Sequence, residues 1–435
     1  MSASPVETDA PVHAAIELGP QDCTYLHLDT PRAPMHWAML LELGGQTSID
    51  VESVRERVAA RAKRYRLFRT GIVGGRWRRP RVIEVDEVDV LTQVASASYA
   101  DDADLHRQVG ELMGAHLERG RPFWHITLLS PATLGGRQFL LLRVHHSLSD
   151  GIAGAAFSAL LADEEGDSLD EFDRFATSPR FHISGIDRDE LATAKAAFEE
   201  SWETGQEGRH WPKLSGSGAR EAGWHSVSTR DLRRAAKRSG ASVHEYLLAA
   251  IGTTISSAPP VVDGGAVSSS SIRVTLPVTL DKEFRHTGNA VSVSLLNLAG
   301  DRASVEEQLP GIQDQLKRIE RDRPELYLAA ADDAPRAPWP IFRVLSGASM
   351  KKMSPDIHIG VNPGFTRVRT VLGAPINDLT ALSPLVGYSF SVTILILGTR
   401  TSFGIVYDGQ ALPDYGEKFR AAFDAVLTQA AVADA

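Results

Sequence analysis

The chain has 435 residues, length for two or three domains at roughly 100–200 residues each. Hydrophobic residues make up 43% and charged residues 23%, so a sizeable core can form and disorder over most of the length is excluded. A formal net charge of −9 argues against a general nucleic-acid binder. Two local basic runs remain, Arg76 to Arg81 and Lys351-Lys352, each either solvated surface or an attraction for a phosphorylated ligand. The lone Cys23 permits no internal disulfide and no cysteine metal cluster, and as a nucleophile it ranks behind a histidine described below. The opening Met1-Ser2-Ala3-Ser4-Pro5 has no basic or apolar region of a signal peptide. No run reaches the roughly 18 apolar residues that span a bilayer. The expected compartment is the cytoplasm, with contact at a membrane surface still compatible.

Residues 1–17 are polar and expected to be loosely ordered. Trp37 to Leu43 has the length and apolar content of a buried strand. Asp50 is a helix N-cap, and Val51, Val54 and Val58 recur at helical spacing up to about Tyr65. Phe123 to Leu129 and Phe139 to Val144 are two apolar strands joined by a Pro- and Gly-containing segment, hence a hairpin or neighbours. Ile152 to Ala162 is a small-residue buried helix, and Glu164 to Arg180 resembles a connector between halves. The second half opens with helices near 228–238 and 242–256, the latter with a Ser242/Glu245 capping box. Strands are expected at 271–277, 290–298, 357–361, 390–397 and 403–407, helices at 305–321 and 415–430, and loops at 256–271 and 332–340. Helices and strands mix in both halves without regular βαβ order, which favours two mixed α/β (α+β) lobes over one doubly wound sheet.

The chemistry concentrates at the end of one strand. Leu140 to Val144 delivers His145 and His146, followed by Ser147-Leu148-Ser149-Asp150-Gly151. A strand end holds a side chain accurately, and an imidazole with a pKa near 6.5 accepts a proton at neutral pH. Such a base contributes about 10²- to 10⁴-fold to a rate. Asp150 can pair with a buried cation to fix the turn or orient the imidazole, and Gly151 permits close approach of substrate or backbone. A histidine metal pair and two purely structural histidines are the competing readings. No third ligand stands at a usual spacing for the first, and the strand context weighs against the second.

His145-His146-Ser147-Leu148-Ser149-Asp150-Gly151 resembles the HHxxxDG motif of the coenzyme A-dependent acyltransferase superfamily, which includes condensation domains. Leu18 to Asp22 and Leu28 to His36 resemble the opening of the bacterial wax ester synthase/diacylglycerol acyltransferase family. Arg121-Pro122-Phe123-Trp124 resembles its PLW motif, Pro277-Val278-Thr279 with Gly288-Asn289 its middle block, Val361 to Gly364 its NVPGP segment and Tyr407-Asp408 its closing strand. The resemblance runs from about residue 18 to 430 in the family's order. It implies two chloramphenicol-acetyltransferase-like lobes with the active site at their interface. The corresponding division is a flexible stretch at 1–17, an N-terminal lobe at 18–170, a connector at 171–215 and a C-terminal lobe at 216–435.

The activity implied is O-acyl transfer from acyl-CoA, a co-substrate and no bound cofactor, to a long-chain alcohol or diacylglycerol. His146 would be the general base, with His145, Asp150 and Gly151 beside it and Asn289, Arg69 and Trp124 in support. Arg69 is the candidate partner of Asp150. Backbone N–H groups near Gly151 are candidates for the oxyanion. No metal is implied. The partners implied are acyl-CoA and a hydroxylated acceptor, with contact to a membrane or lipid droplet compatible and no nucleic acid. Two departures stand out. The family's Asn-Asp pair is replaced by His244-Glu245, and the Val361 segment is one residue short, with Phe365 near the usual second Pro. They keep open a tailoring acyltransferase of a small natural product fed by acyl-CoA or a carrier protein, and a non-catalytic member of the family.

Overall fold

The computed structural model describes residues 16–432, apart from 46–47, 74–79, 134, 152–156, most of 165–184, 205, 282–287, most of 334–352, 363 and 366. Most of the run from Arg76 to Arg81, Lys351-Lys352 and most of the expected connector helix and segment at 152–180 lie outside the described residues. Ile16-Glu17, expected to be loose, pair antiparallel with Arg81-Val82.

Two six-stranded sheets form the frame. The first runs in the order Thr370–Val371, Ala374–Leu382, His36–Leu43, Gln138–His145, Trp124–Pro131, Val94–Tyr99. Its two middle strands, His36–Leu43 and Gln138–His145, are antiparallel, with His36 opposite His145. All eight residues of Gln138–His145 are buried. This explains the continuous apolar run without alternation, since both faces of the strand are covered. Trp124–Pro131 and Gln138–His145 form the antiparallel neighbours expected. The second sheet runs Val291–Ala299, Ser271–Thr279, Ile357–Val361, Phe390–Leu397, Arg400–Tyr407, Glu221–Ser228. Ile357–Val361 lies parallel to both of its neighbours, which buries it between them.

The helix Val243–Ser257 starts at the Ser242/Glu245 capping box and is buried without a break from Tyr246 to Ile255. It packs with helices Val305–Asp322 and Tyr415–Val432 over the second sheet. The loop expected at 256–271 carries a short hairpin, Val261–Val262 with Gly265–Ala266. Of the loop expected at 332–340, residues 332–333 close the helix Glu325–Asp333 and the remainder is outside the described residues.

The two halves do not keep separate sheets. Ala374–Leu382, from the second half, pairs antiparallel with His36–Leu43 of the first. The crossing back to the second sheet is tight at Gly404, where a Cβ would overlap the Ala381 carbonyl. A third apolar cluster, including Leu40, Leu141, Leu382, Tyr388 and Val406, packs across the junction. Among the described residues no helix is long and apolar enough to cross a membrane.

Candidate active site

The strand Gln138–His145 ends on the first histidine of the motif, and the turn after it is held on several sides. The His146 N–H donates to the Met35 carbonyl at 2.8 Å and the Leu148 N–H to the His145 carbonyl at 2.9 Å. The indole N–H of Trp37 donates to the Ser149 carbonyl at 2.9 Å. The turn is then joined to the second half. Ser149 bridges Gly288, and the Asp150 Oδ2 accepts from the Ala290 N–H at 3.2 Å. Asp150 thereby fixes the turn against the segment Gly288-Asn289-Ala290.

Asn289 is the hinge of the site. Its Nδ2 donates to the Asp22 Oδ1 at 2.7 Å and to the His146 carbonyl at 2.7 Å. Both partners are acceptors, so the amide nitrogen belongs on that side. The Asn289 Oδ1 therefore faces the His146 Nδ1, 2.9 Å away, and accepts a hydrogen bond from its N–H. The tautomer follows: Nδ1 of His146 carries the hydrogen and Nε2 keeps a free lone pair. The buried Asp22 also accepts from the Asn289 backbone N–H at 3.0 Å and the Gly19 N–H at 2.9 Å. A relay from Gly19 through Asp22 and Asn289 thus sets the imidazole. Tyr25 stacks on the same ring at 3.7 Å between centroids, 11° from parallel. Burial lowers the His146 pKa to about 4, so the ring is neutral at pH 7 and its lone pair is available.

His145 is held differently. The Ser147 N–H donates to its Nδ1 at 3.1 Å, Phe123 stacks on it at 4.2 Å, and its Nε2 lies 3.8 Å from the Asp29 Oδ2. Burial lowers its pKa too. It does not line the cavity; it supports the turn.

A cavity of about 220 Å³ lies between the two sheets. Trp37, Met39, His146 and Gly151 line it from the first half and Thr275, Val293, His358 and Asn362 from the second. Gly151 lets the Asn362 side chain come close: a Cβ there would sit 3.4 Å from its Oδ1. Among the described residues no group of three or more His, Cys, Asp or Glu could hold a metal ion.

Two of the supporting residues expected from the sequence stand elsewhere. Arg69 is not the partner of Asp150. Its Nε donates to the Glu84 Oε1 at 3.0 Å, and it also bonds the Ala62 carbonyl, so its charge is neutralised by the strand Arg81–Glu84. Trp124 donates its indole N–H to the Phe68 carbonyl at 2.9 Å and packs edge-on to Phe68. It braces the core behind the site and does not line the cavity. His244 and Glu245 are also outside the cavity lining, and Glu245 is engaged by the cap of its helix. Sequence reasoning missed Asp22, Tyr25 and His358 as site residues. Asp22 lies in the Leu18–Asp22 segment that carried the resemblance. Its partner Asn289 is 267 residues away, and nothing in a linear pattern links the two.

The comparisons with known proteins agree with this architecture. Residues 18–201 match the family model of the wax ester synthase/diacylglycerol acyltransferase catalytic domain. The chain is 24% identical over 369 residues to the "Probable diacyglycerol O-acyltransferase tgs1" of Mycobacterium tuberculosis, covering 78% of each. The solved wax ester synthase/diacylglycerol acyltransferase from Marinobacter aquaeolei superposes with a TM-score of 0.68 at 16% identity, over 96% of this chain and 100% of that one. The condensation domain of the Monacolin K polyketide synthase superposes at 0.61 and 12% identity, over 98% of this chain and 99% of that one. Residues 18–201 are thus similar to that catalytic domain, and the chain as a whole shares the fold of the solved wax ester synthase/diacylglycerol acyltransferase.

Proposed function

We propose that this chain moves an acyl group from acyl-CoA to the hydroxyl of a lipid acceptor, a long-chain alcohol or diacylglycerol, forming a wax ester or triacylglycerol. The observation that carries the reading is the Asn289 Oδ1 at 2.9 Å from the His146 Nδ1, which leaves Nε2 as a base on a residue that lines the cavity. Nε2 takes the proton of the acceptor hydroxyl as its oxygen forms a bond to the thioester carbonyl carbon. The C–S bond then breaks, and the thiolate leaves as CoA with the proton that His146 held. No acyl-enzyme forms. Asp150 keeps the turn seated on the second half, and backbone N–H groups by Gly151 are the candidates for the oxyanion; donors of that kind are worth about 3–4 kcal/mol each.

The test is CoA release from palmitoyl-CoA with hexadecanol or dipalmitoylglycerol. The parent releases CoA with at least one acceptor, and His146→Ala lowers kcat by about 10²- to 10⁴-fold. Equal activity in the variant sinks the general-base assignment. No CoA release with any hydroxyl acceptor sinks the proposal.

A further inference from the structure

The cavity holds a second imidazole that the chemistry above leaves unused. His358 sits on Ile357–Val361, in a strand otherwise carrying Ile, Ile, Gly and Val, and its side chain lines the cavity. A ring at such a position ordinarily packs as an apolar plate. This one is held as a hydrogen-bonding group. Its Nδ1 is 3.0 Å from the Thr275 Oγ1, and its face stacks on Tyr388 at 5.1 Å and 10°. Its Nε2 has no partner among the described residues. Two residues on, Gly360 shares its side of the strand, and a Cβ there would come to 3.1 Å from that Nε2. The glycine keeps the nitrogen's approach open. Neighbouring polar groups of the lining are already engaged: Ser383 and Thr393 bond each other at 2.8 Å, and the Tyr388 hydroxyl donates to the Pro384 carbonyl at 2.9 Å.

We infer that His358 is a specificity-determining residue whose Nε2 receives a second hydroxyl of the acyl acceptor, so that a diol is preferred over the matching monohydric alcohol. The inference rests on the proposal that the reacting hydroxyl is received at His146. A hydroxyl fits because it both donates and accepts, and so satisfies Nε2 whichever tautomer Thr275 selects. A carboxylate or phosphate does not fit. Burial, and to a lesser degree the repulsion a protonated His146 would exert, lowers the His358 pKa to about 3, so the ring carries no charge at pH 7 to attract an anion. A monohydric alcohol fills the same space but leaves Nε2 without a partner once water is displaced, at a cost of about 1–3 kcal/mol.

Steady-state kinetics with palmitoyl-CoA would compare dodecan-1-ol with its 1,2- and 1,4-diols, in the parent, His358→Phe and His358→Gln. The parent is expected to favour the better diol by about 5- to 100-fold in kcat/KM. His358→Phe, which keeps the stack on Tyr388, brings the ratio near one because the diol loses more kcat/KM than dodecan-1-ol does, by about 5- to 100-fold. His358→Gln restores part of the preference. A parent ratio near one overturns the inference and leaves the proposed function standing. So does a variant that raises the KM for palmitoyl-CoA with the acceptor ratio unchanged, since His358 then serves the donor. If the parent releases CoA with none of these acceptors, the inference is overturned, and if hexadecanol and dipalmitoylglycerol also give none, the proposed function falls with it. Should circular dichroism show His358→Phe unfolded, the parent ratio and His358→Gln decide.

Discussion

At the scale of single residues, the site turns on which nitrogen of His146 carries the proton. Asp22 orients Asn289, and Asn289 orients the ring through one 2.9 Å hydrogen bond. Asn289→Ala is therefore expected to lower kcat by about 10- to 100-fold with KM changed little, read by steady-state kinetics. Asp22→Asn replaces an acceptor by a group that also donates, and it lets the Asn289 amide turn over. Its loss in kcat should not add to that of Asn289→Ala, because both act through the same bond. If the double variant shows the product of the two losses, the relay is not one unit. The low pKa of His146 sets the acid limb of the pH profile. A base must be unprotonated, and burial keeps it so down to about pH 4. kcat/KM should stay flat from pH 8 to about pH 5, and an acid limb centred on pH 6.5 would contradict the buried, neutral ring.

At the scale of elements, His244-Glu245 lies outside the cavity lining. The pair stands where the family carries Asn-Asp, yet the hydrogen bond to His146 comes from Asn289 on another segment. Glu245 and Ser242 close a capping box instead, the Glu245 carboxylate accepting the Ser242 N–H at 2.6 Å and the Ser242 hydroxyl accepting the Glu245 N–H at 3.2 Å. Glu245→Ala should cost about 1 kcal/mol in urea denaturation and leave kcat within two-fold. The elements that were legible have local signals: Asp50 accepts the Ser53 N–H at 2.8 Å as an N-cap, and the buried strands are apolar runs, whereas the helices Asp102–Gly114 and Arg188–Thr204 and the strands Val94–Tyr99 and Glu221–Ser228 were not read from the sequence. Ala374–Leu382 was not legible. Pro375, Asn377 and Asp378 break its apolar pattern, and pairing with His36–Leu43 is what makes it a strand.

At the scale of the molecule, two sheets share strands across the halves and enclose neutral histidines at their junction. His36, His145, His146 and His358 all have pKa values lowered by burial, to about 4 for His146 and about 3 for His358. An unfolded chain binds those protons near pH 6.5, and the folded chain refuses them until lower pH. For His146 and His358 the stability preserved is present above pH 6.5 and is lost as pH falls from 6.5 towards 4, by up to about 1.4 kcal/mol per pH unit each, and the burial of His36 and His145 acts in the same direction. Urea midpoints measured from pH 7.5 to 4.5 should fall steadily, and a midpoint constant over that range would show that these rings are not held neutral. Gly404→Val tests the crossing between the sheets. The added side chain meets the Ala381 carbonyl, and a loss of about 1–3 kcal/mol is expected by the same method.

What the sequence determined by itself was the mixed α/β class, the elements with strong local signals and the candidate base at the end of an apolar strand, because periodicity, caps and a seven-residue motif act over short distances. Only the tertiary structure decided which residues serve that base. Asp22 and Asn289 meet across 267 residues, Arg69 is neutralised by Glu84 instead of reaching Asp150, and His358 enters the cavity from the far half. The physical reason is common to all three. A hydrogen bond or an ion pair goes to whichever partner the packed sheets bring within about 3 Å, and no spacing along the chain encodes that distance.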